Sequence, residues 1–116
     1  MRNTIMIAAI LTLPSASAMA DTSLAITFDL DGADVATTTY DCGPDTTLAV
    51  KYITSEANAL ALLPVEGAER VFAGVVAASG SRYVSGPYEW WADGETAMLT
   101  DLIADKMILE CEASQQ

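Results

Sequence analysis

Side chains able to catalyse a reaction are scarce in this sequence. It contains no histidine, which removes the commonest general base and the commonest metal ligand. Ser79, between Ala78 and Gly80, therefore has no histidine to activate it as a nucleophile. Lys51 and Lys106 are possible replacements for that base, but neither lies near Ser79 in a recognisable motif. These observations argue against a serine hydrolase.

Two groups of carboxylates give weak signals of other chemistry. Asp93 and Glu95 flank one turn, and nothing separates this pair from solvated turn residues, although glycoside hydrolases also use two carboxylates. Residues 29–34 resemble the start of a calcium-binding loop. An EF-hand loop that begins at Asp29 needs Gly at its sixth position and Glu at its twelfth, but here Gly32 is fourth and Tyr40 is twelfth. We predict instead a turn with a positive φ at Gly32. No enzymatic activity, cofactor or metal site is predicted.

The first twenty residues predict a secretory signal peptide. Arg2 provides a basic start, residues 5–13 form an apolar run too short to span a bilayer, and residues 18–20 provide the small residues before a cleavage site. No cysteine lies near that site, so no lipid anchor is expected; the alternative is an uncleaved membrane anchor. We predict a signal peptide at 1–20, one domain at 21–116, and a periplasmic location.

The domain left after cleavage would be strongly acidic. The whole chain has a net charge of −11, and removal of residues 1–20 takes away one arginine and no acid, which leaves −12. Phosphates would be repelled, so nucleic acid is excluded as a partner. A basic protein would be attracted over a long range. A charge that only keeps an exported protein soluble explains the composition equally well.

The chain has two cysteines, Cys42 and Cys111. Export places them in an oxidising compartment, where two cysteines allow one intramolecular disulfide. In the chain-entropy model, closing a loop of this length stabilises a fold by about 4 kcal/mol. Two free buried thiols are the alternative.

The apolar and turn-forming residues predict short strands separated by Gly and Pro. The predicted strands are 23–30, 34–42, 47–54, 59–65, 71–77, 88–92, 96–100 and 106–111. This number and spacing favour a small antiparallel barrel or sandwich. Residues 97–103 would also suit a short helix. Asp93-Gly94 is predicted as a hairpin turn.

Alternation along the strands assigns several side chains to faces. Trp90 is predicted to lie in the core and its neighbour Trp91 nearer the surface, because adjacent strand residues point to opposite faces. Tyr83 is predicted to pack on the barrel. Gly80 and Gly94 suit turns that need a positive φ.

The order of residues from 76 to 97 resembles the family of membrane-bound lysozyme inhibitors of C-type lysozyme, which also has soluble periplasmic members. The family pattern is Ser-Ala-Ser-Gly-x-x-Tyr, a spacer, then an aromatic residue, Trp, any residue, Lys, Gly and acidic residues before Ala. This sequence has Ala77-Ala78-Ser79-Gly80-Ser81-Arg82-Tyr83 and Trp90-Trp91-Ala92-Asp93-Gly94-Glu95-Thr96-Ala97. The resemblance extends to Tyr40-Asp41-Cys42 and Ile108-Leu109-Glu110-Cys111 and covers residues 38–113.

The resemblance implies an all-β fold, a small antiparallel barrel of about eight strands stapled by a Cys42–Cys111 disulfide. It also implies inhibition of lysozyme by loops inserted into the sugar-binding cleft. In the family, the serine that maps onto Ser79 reaches the lysozyme active site, and a lysine pairs with the catalytic carboxylates. Asp93 stands at the lysine position. The implied lysozyme-binding residues are Ser79, Gly80, Arg82, Tyr83, Trp91, Asp93, Gly94 and Glu95.

Several interpretations of Asp93 stay open. In the first, inhibition persists through Ser79, the backbone near Gly80 and long-range attraction. In the second, Arg82 supplies the cation that the family lysine provides. In the others, the fold binds another cationic protein or peptide, or has a structural role. We predict a non-enzymatic inhibitor of C-type lysozyme, a monomer or weak dimer without a stable membrane anchor. Its predicted partner is C-type lysozyme or another basic protein.

Overall fold

The chain forms a closed antiparallel barrel in which each strand pairs with its neighbours in sequence. The structure is a computed structural model and describes residues 11, 13, 15, 17, 22–27 and 29–114. The strands are β1 (Asp34–Asp41), β2 (Thr47–Thr54), β3 (Ala59–Val65), β4 (Ala68–Val75), β5 (Ser81–Ser85), β6 (Tyr88–Asp93), β7 (Thr96–Asp101) and β8 (Lys106–Ala113). The predicted all-β barrel of about eight strands is confirmed.

The strand predicted at 23–30 is wrong, and one strand of the structure was not predicted. Residues 22–27, 29 and 30 carry no strand, although their apolar residues alternate. The helix considered for residues 97–103 is instead β7 and a turn. β5 was missed because its sequence has only Tyr83 and Val84 as apolar residues. The sequence therefore predicts the right number of strands with one of them misplaced.

The barrel is filled by side chains that alternate inward along every strand. The buried residues are Tyr40, Leu48, Val50, Ala61, Leu63, Val65, Phe72, Tyr83, Tyr88, Trp90, Ala97, Leu99 and Cys111. Trp90 is fully buried, as predicted, and Tyr40 meets its ring edge-on at a centroid distance of 5.2 Å. Both predicted face assignments for the tryptophans hold, since Trp91 is only half-buried.

The polar atoms of this aromatic core satisfy one another. Trp90 Nε1–H donates to the Tyr52 hydroxyl at 2.9 Å, and the Tyr52 and Tyr40 hydroxyls are 2.7 Å apart. No buried side-chain polar atom of the described residues lacks a partner. The network holds three large rings in one arrangement, as buried polar groups require.

Cys42 and Cys111 form the predicted disulfide. Cys111 is buried and Leu109 packs against the core, as the alternation of β8 predicts. Simple alternation would place Met107 on the same face as Leu109 and Cys111, but Met107 is 51% exposed. A β-bulge opposite Leu99 and Thr100 shifts the register between β7 and β8, and the inserted residue reverses which positions face inward.

The predicted signal peptide falls mostly outside the described residues, which include only Leu11, Leu13, Ser15 and Ser17 of it. In the part of the chain that the structure describes, no helix is long and apolar enough to cross a membrane. The turn predicted at Gly32 is present, with a φ of 68°.

Alkaline titration should report on the aromatic core. Burial, with a further contribution from the Tyr40 hydrogen bond, raises the pKa of the Tyr52 hydroxyl above its ordinary value, which is near 10. A pKa that is higher in the folded state adds stability below about pH 10, and that stability is lost as pH rises towards the folded-state pKa. Burial, followed by the hydrogen bond to Glu66, also raises the pKa of Tyr88. We therefore expect two delayed phenolate absorbance steps, and we expect the Tyr52 step to coincide with loss of the near-ultraviolet circular dichroism signal.

The Tyr52→Phe variant provides the control for this titration. It should lack the Tyr52 step while retaining the barrel and the Tyr88 step. Two delayed steps in Tyr52→Phe would show that another group causes the step assigned to Tyr52.

Candidate functional site

Three connections lie together at one end of the barrel, because alternate hairpins of an up-and-down barrel share an end. They are the loop 55–58 between β2 and β3, the loop 76–80 between β4 and β5, and the turn Gly94–Glu95 between β6 and β7. The last turn begins one residue later than predicted, because Asp93 still pairs with Thr96. Gly94 takes the first turn position with a φ of 60°, which two-residue hairpins of one common type require.

The loop that carries Ser79 is bonded directly to strand β6. Trp91 Nε1–H donates to the Ser79 carbonyl oxygen at 3.0 Å. The Ser79 side chain is left exposed at the surface. Trp91 therefore sets the position of the Ser79 loop through its indole, a role that the sequence pattern did not reveal.

Gly80 packs tightly against the β6–β7 hairpin. Its φ is 66°, and a Cβ there would lie 2.5 Å from the Ala92 carbonyl oxygen and 3.0 Å from Asp93 Cβ. Only glycine has both the backbone freedom and the missing side chain that this contact needs. Ser79 and Asp93, which are fourteen positions apart in the sequence, are thus carried by loops in contact.

Arg82 belongs to the same end but its charge is already paired. Its Nε–H donates to the Glu89 carboxylate across β5 and β6. Trp91 lies directly opposite Arg82 in the register of these strands. The structure therefore holds Arg82 beside Trp91. Glu89 neutralises the Arg82 charge, which one interpretation of the sequence assigned to lysozyme binding.

The remaining predicted site residues divide between surface and core. Asp93, Gly94 and Glu95 are exposed at the hairpin tip. The Asp93 carbonyl accepts from Thr96 Oγ1 at 3.0 Å, and the Glu95 carbonyl accepts from the backbone N–H of residue 113 at 2.7 Å. Tyr83, in contrast, is 8% exposed, and its ring lies 5.6 Å from that of Tyr52. Its position is structural, as the strand pattern predicts.

A groove beside the Ser79 loop was not predicted. It has a volume of about 510 Å³ and is lined by residues of the 55–58 loop, the 76–80 loop and the neighbouring strands. Val76 is 92% exposed and Glu56 is also exposed in this region. The groove joins segments that are distant in sequence, so no local signal indicates it.

This end of the barrel presents an exposed serine hydroxyl, backbone groups and carboxylates. Among the described residues, no group of three or more His, Cys, Asp or Glu side chains could hold a metal ion.

A family model for "Membrane-bound lysozyme-inhibitor of c-type lysozyme" matches residues 40–108, which is more than half of the chain. The chain belongs to this family. The matched range contains both the Ser79 loop and the β6–β7 turn, and the resemblance seen in the sequence is confirmed.

Individual members of the family are similar over much of the chain. A membrane-bound lysozyme inhibitor of C-type lysozyme from Cupriavidus necator is 37% identical over 84 residues, which cover 69% of this chain and 67% of the relative. A protein of the same description from Pseudomonas aeruginosa is 37% identical over 67 residues, covering 57% of this chain and 53% of the relative. The match thus spans about half the length of the second protein.

Solved structures of the family have the same fold. A crystal structure of Pseudomonas aeruginosa MliC in complex with hen egg white lysozyme has a TM-score of 0.64 and 31% identity, covering 85% of this chain and all of that chain. PliC from Salmonella typhimurium, a periplasmic lysozyme inhibitor of C-type lysozyme, has a TM-score of 0.63 and 25% identity, covering 71% of this chain and all of that chain. These family members are inhibitor proteins, either membrane-bound or periplasmic.

Proposed function

We propose that this protein is an exported inhibitor of C-type lysozyme that blocks the active-site cleft with the Ser79 loop and the β6–β7 turn. The main support is that the Trp91 hydrogen bond and the close packing of Gly80 hold these two segments together at one end of the barrel. A similar chain binds hen egg white lysozyme in a crystal. Because both segments are fixed before binding, little conformational entropy is lost when they enter a cleft.

The proposed interface uses the exposed members of the predicted site. Ser79 and the backbone at Gly80 contact the cleft, and Asp93, Gly94 and Glu95 contact its rim. Arg82 and Trp91 support the loop from β5 and β6, and Tyr83 supports it from the core. The chain acts by steric occlusion and has no catalytic step.

The negative charge of the chain favours a basic partner, but the negative charge of Asp93 opposes its own contact with the lysozyme active site. The net charge of −12 on residues 21–116 attracts a cationic protein and raises the rate of encounter. Asp93, however, projects from the edge that would approach the two catalytic carboxylates of lysozyme. A carboxylate there is repelled, so the affinity must come from the other contacts.

A second candidate is a binding module for another cationic protein or peptide. The observation that favours it is the same exposed Asp93, which replaces the attractive lysine of the family pattern. An acidic tip suits a basic surface better than an acidic cleft.

We also propose that the protein is cleaved and exported to the periplasm as its sequence predicts. Residues 1–20 act as a cleaved signal peptide, residues 21–116 form the mature inhibitor, and the absence of a cysteine near the cleavage site leaves it unlipidated in the periplasm. The membrane-bound or periplasmic relatives support export. Mass spectrometry of the protein from a periplasmic extract would test the cleavage site.

A turbidity assay of cell-wall lysis tests the proposed function. Purified protein should slow lysis by a C-type lysozyme in a dose-dependent manner, and salt should weaken the effect because the long-range attraction is screened. The absence of inhibition, together with salt-dependent capture of other basic proteins, would favour the second candidate.

The Asp93→Lys substitution should strengthen inhibition. It removes a repulsion and adds an attraction, each of about 1 kcal/mol at 4 Å in water and more in a partly buried cleft. We therefore expect the inhibition constant to fall at least about tenfold, since that change corresponds to about 1.4 kcal/mol. Inhibition constants at two salt concentrations provide the measurement.

Asp93→Asn separates the two contributions. It removes the repulsion alone, so its inhibition constant should lie between those of the parent and Asp93→Lys. A weaker inhibitor after Asp93→Lys would contradict the placement of the β6–β7 tip in the cleft.

A further inference from the structure

The groove beside the Ser79 loop has an apolar part. Val75, Val76 and Ala77 line it. Val75 and Val76 are 39% and 92% exposed and Ala77 is half-buried, so three consecutive apolar residues lie open to solvent where β4 ends. The core residue Tyr83 also lines the groove. This part of the groove can cover the hydrocarbon portion of a partner's side chain, because removal of exposed apolar surface from water is favourable.

The groove also carries one carboxylate without a counter-charge. Glu56 lines it from the 55–58 loop and is exposed. Glu56 forms no ion pair with any residue that the structure describes, whereas Arg82, the other charged residue of the lining, is paired with Glu89. The groove therefore combines an apolar part with one available negative charge.

Both loops around the groove are held in place by hydrogen bonds. In the 55–58 loop, the backbone N–H of Ser55 donates to the Asn58 carbonyl at 2.8 Å, and Asn58 Nδ2–H donates to the Ser55 hydroxyl at 3.4 Å. The 76–80 loop is tied to β6 by the hydrogen bond from Trp91 to the Ser79 carbonyl. Little conformational entropy is therefore lost when a partner's side chain enters the groove.

We propose that this groove binds one basic side chain, an arginine or a lysine, of the protein partner. The hydrocarbon stem of that side chain packs on Val76 and Ala77, and its cation pairs with Glu56. Arginine and lysine are the side chains that combine a long apolar stem with a positively charged head. The groove volume of about 510 Å³ is ample for one such side chain.

Two observations favour a basic occupant over an acidic one. Residues 21–116 carry a net charge of −12, which selects a partner with a cationic surface. A carboxylate entering the groove would compete with Glu89 for Arg82, whereas a cation would meet the unpaired Glu56.

This proposal rests on the proposed function for the identity of the partner. The groove adjoins the Ser79 loop, so a protein bound to that loop lies over the groove as well. Lysozyme inhibition would then use Glu56 and Val76 in addition to the residues of the sequence pattern. If the partner is instead another cationic protein, the same groove receives a basic side chain of that protein.

An NMR titration of the purified protein with Nα-acetyl-L-arginine amide tests the groove without lysozyme. We expect saturable shifts of the Ala57, Val76 and Ala77 amides. The matching citrulline derivative, which has the same shape without the charge, should bind at least about threefold more weakly, as expected for a partly exposed ion pair. Val76→Ser should also weaken binding of the arginine derivative, because the stem loses apolar cover.

The carboxylate is tested with Glu56→Gln and its matched control Glu69→Gln. Glu69 is exposed on β4, near the turn at the other end of the barrel, so both variants change the net charge equally and only one alters the groove. Glu56→Gln should weaken binding of the arginine derivative, and raise the inhibition constant for lysozyme, by at least about threefold. Glu69→Gln should leave the binding of the arginine derivative unchanged.

Three results would overturn the proposal: no saturable shifts at the groove, equal affinities for the arginine and citrulline derivatives, or equal effects of Glu56→Gln and Glu69→Gln. Any of these in a protein that inhibits lysozyme would leave the proposed function standing. Conversely, a protein that binds the arginine derivative in the groove but does not inhibit lysozyme would reject the proposed function and keep the groove as the site of another basic partner.

Discussion

Replacing Gly80 by alanine should reduce lysozyme inhibition at least about tenfold, a loss of about 1.4 kcal/mol in binding free energy. The added Cβ would lie 2.5 Å from the Ala92 carbonyl oxygen, so the loop must move away from β6. That movement lengthens the bond between Trp91 Nε1 and the Ser79 carbonyl, and Ser79 then loses its fixed position beside Asp93. Inhibition constants from the turbidity assay measure the effect, and amide exchange in β6 shows whether the barrel is intact.

Gly67→Ala is the matched control for Gly80→Ala, because Gly67 lies in the turn between β3 and β4, outside the proposed interface. Its φ is 79°, in the left-handed region like that of Gly80, but a Cβ at Gly67 would meet nothing within 4 Å. Both variants carry the cost of a left-handed alanine, about 1–2 kcal/mol, and only Gly80→Ala adds a steric displacement of the Ser79 loop. Equal losses of inhibition in the two variants would show that backbone strain, rather than loop contact, controls binding.

The contacts around Gly80 show what the sequence could and could not predict of the site. The family pattern located both turns, and general turn chemistry predicted a positive φ at Gly80 and Gly94. Neither could show that Gly80 touches the Ala92 carbonyl or that Trp91 holds Ser79, because such contacts depend on how two hairpins pack at one end of a barrel. Arg82 illustrates the same limit, since its pairing with Glu89 follows from the register of β5 and β6.

The fold was predictable where apolar alternation and turn signals coincide. β2 and β3 match their predicted ranges because Gly, Pro and Asn residues bound clear apolar runs. β5 lacks such a run, and its strand forms because β4 and β6 both offer it a pairing edge. The segment before β1 shows the converse, since alternation there predicts a strand that the structure leaves unpaired. Pairing partners, which are tertiary, decide both cases.

Removing the disulfide should cause the largest loss of stability. In the Cys42→Ala/Cys111→Ala double variant, the free energy of unfolding should fall by about 4 kcal/mol, because a closed loop of this length no longer restricts the unfolded chain. The cysteines are 69 positions apart, and they join the end of β1 to β8, two strands that share only two residue pairs within the described residues. A loss of this size is a large share of the 5–15 kcal/mol that stabilises a typical domain.

Urea denaturation of the parent, the reduced parent and the double variant separates the possible causes. If the unfolded state is responsible, the double variant should have a lower midpoint and a steeper dependence on urea, since its unfolded chain is more expanded. Reductant should then destabilise the parent and leave the double variant unchanged. A midpoint in the double variant equal to that of the oxidised parent would contradict this account. It would mean that packing of the aromatic core around Trp90 closes the barrel without help from the covalent link.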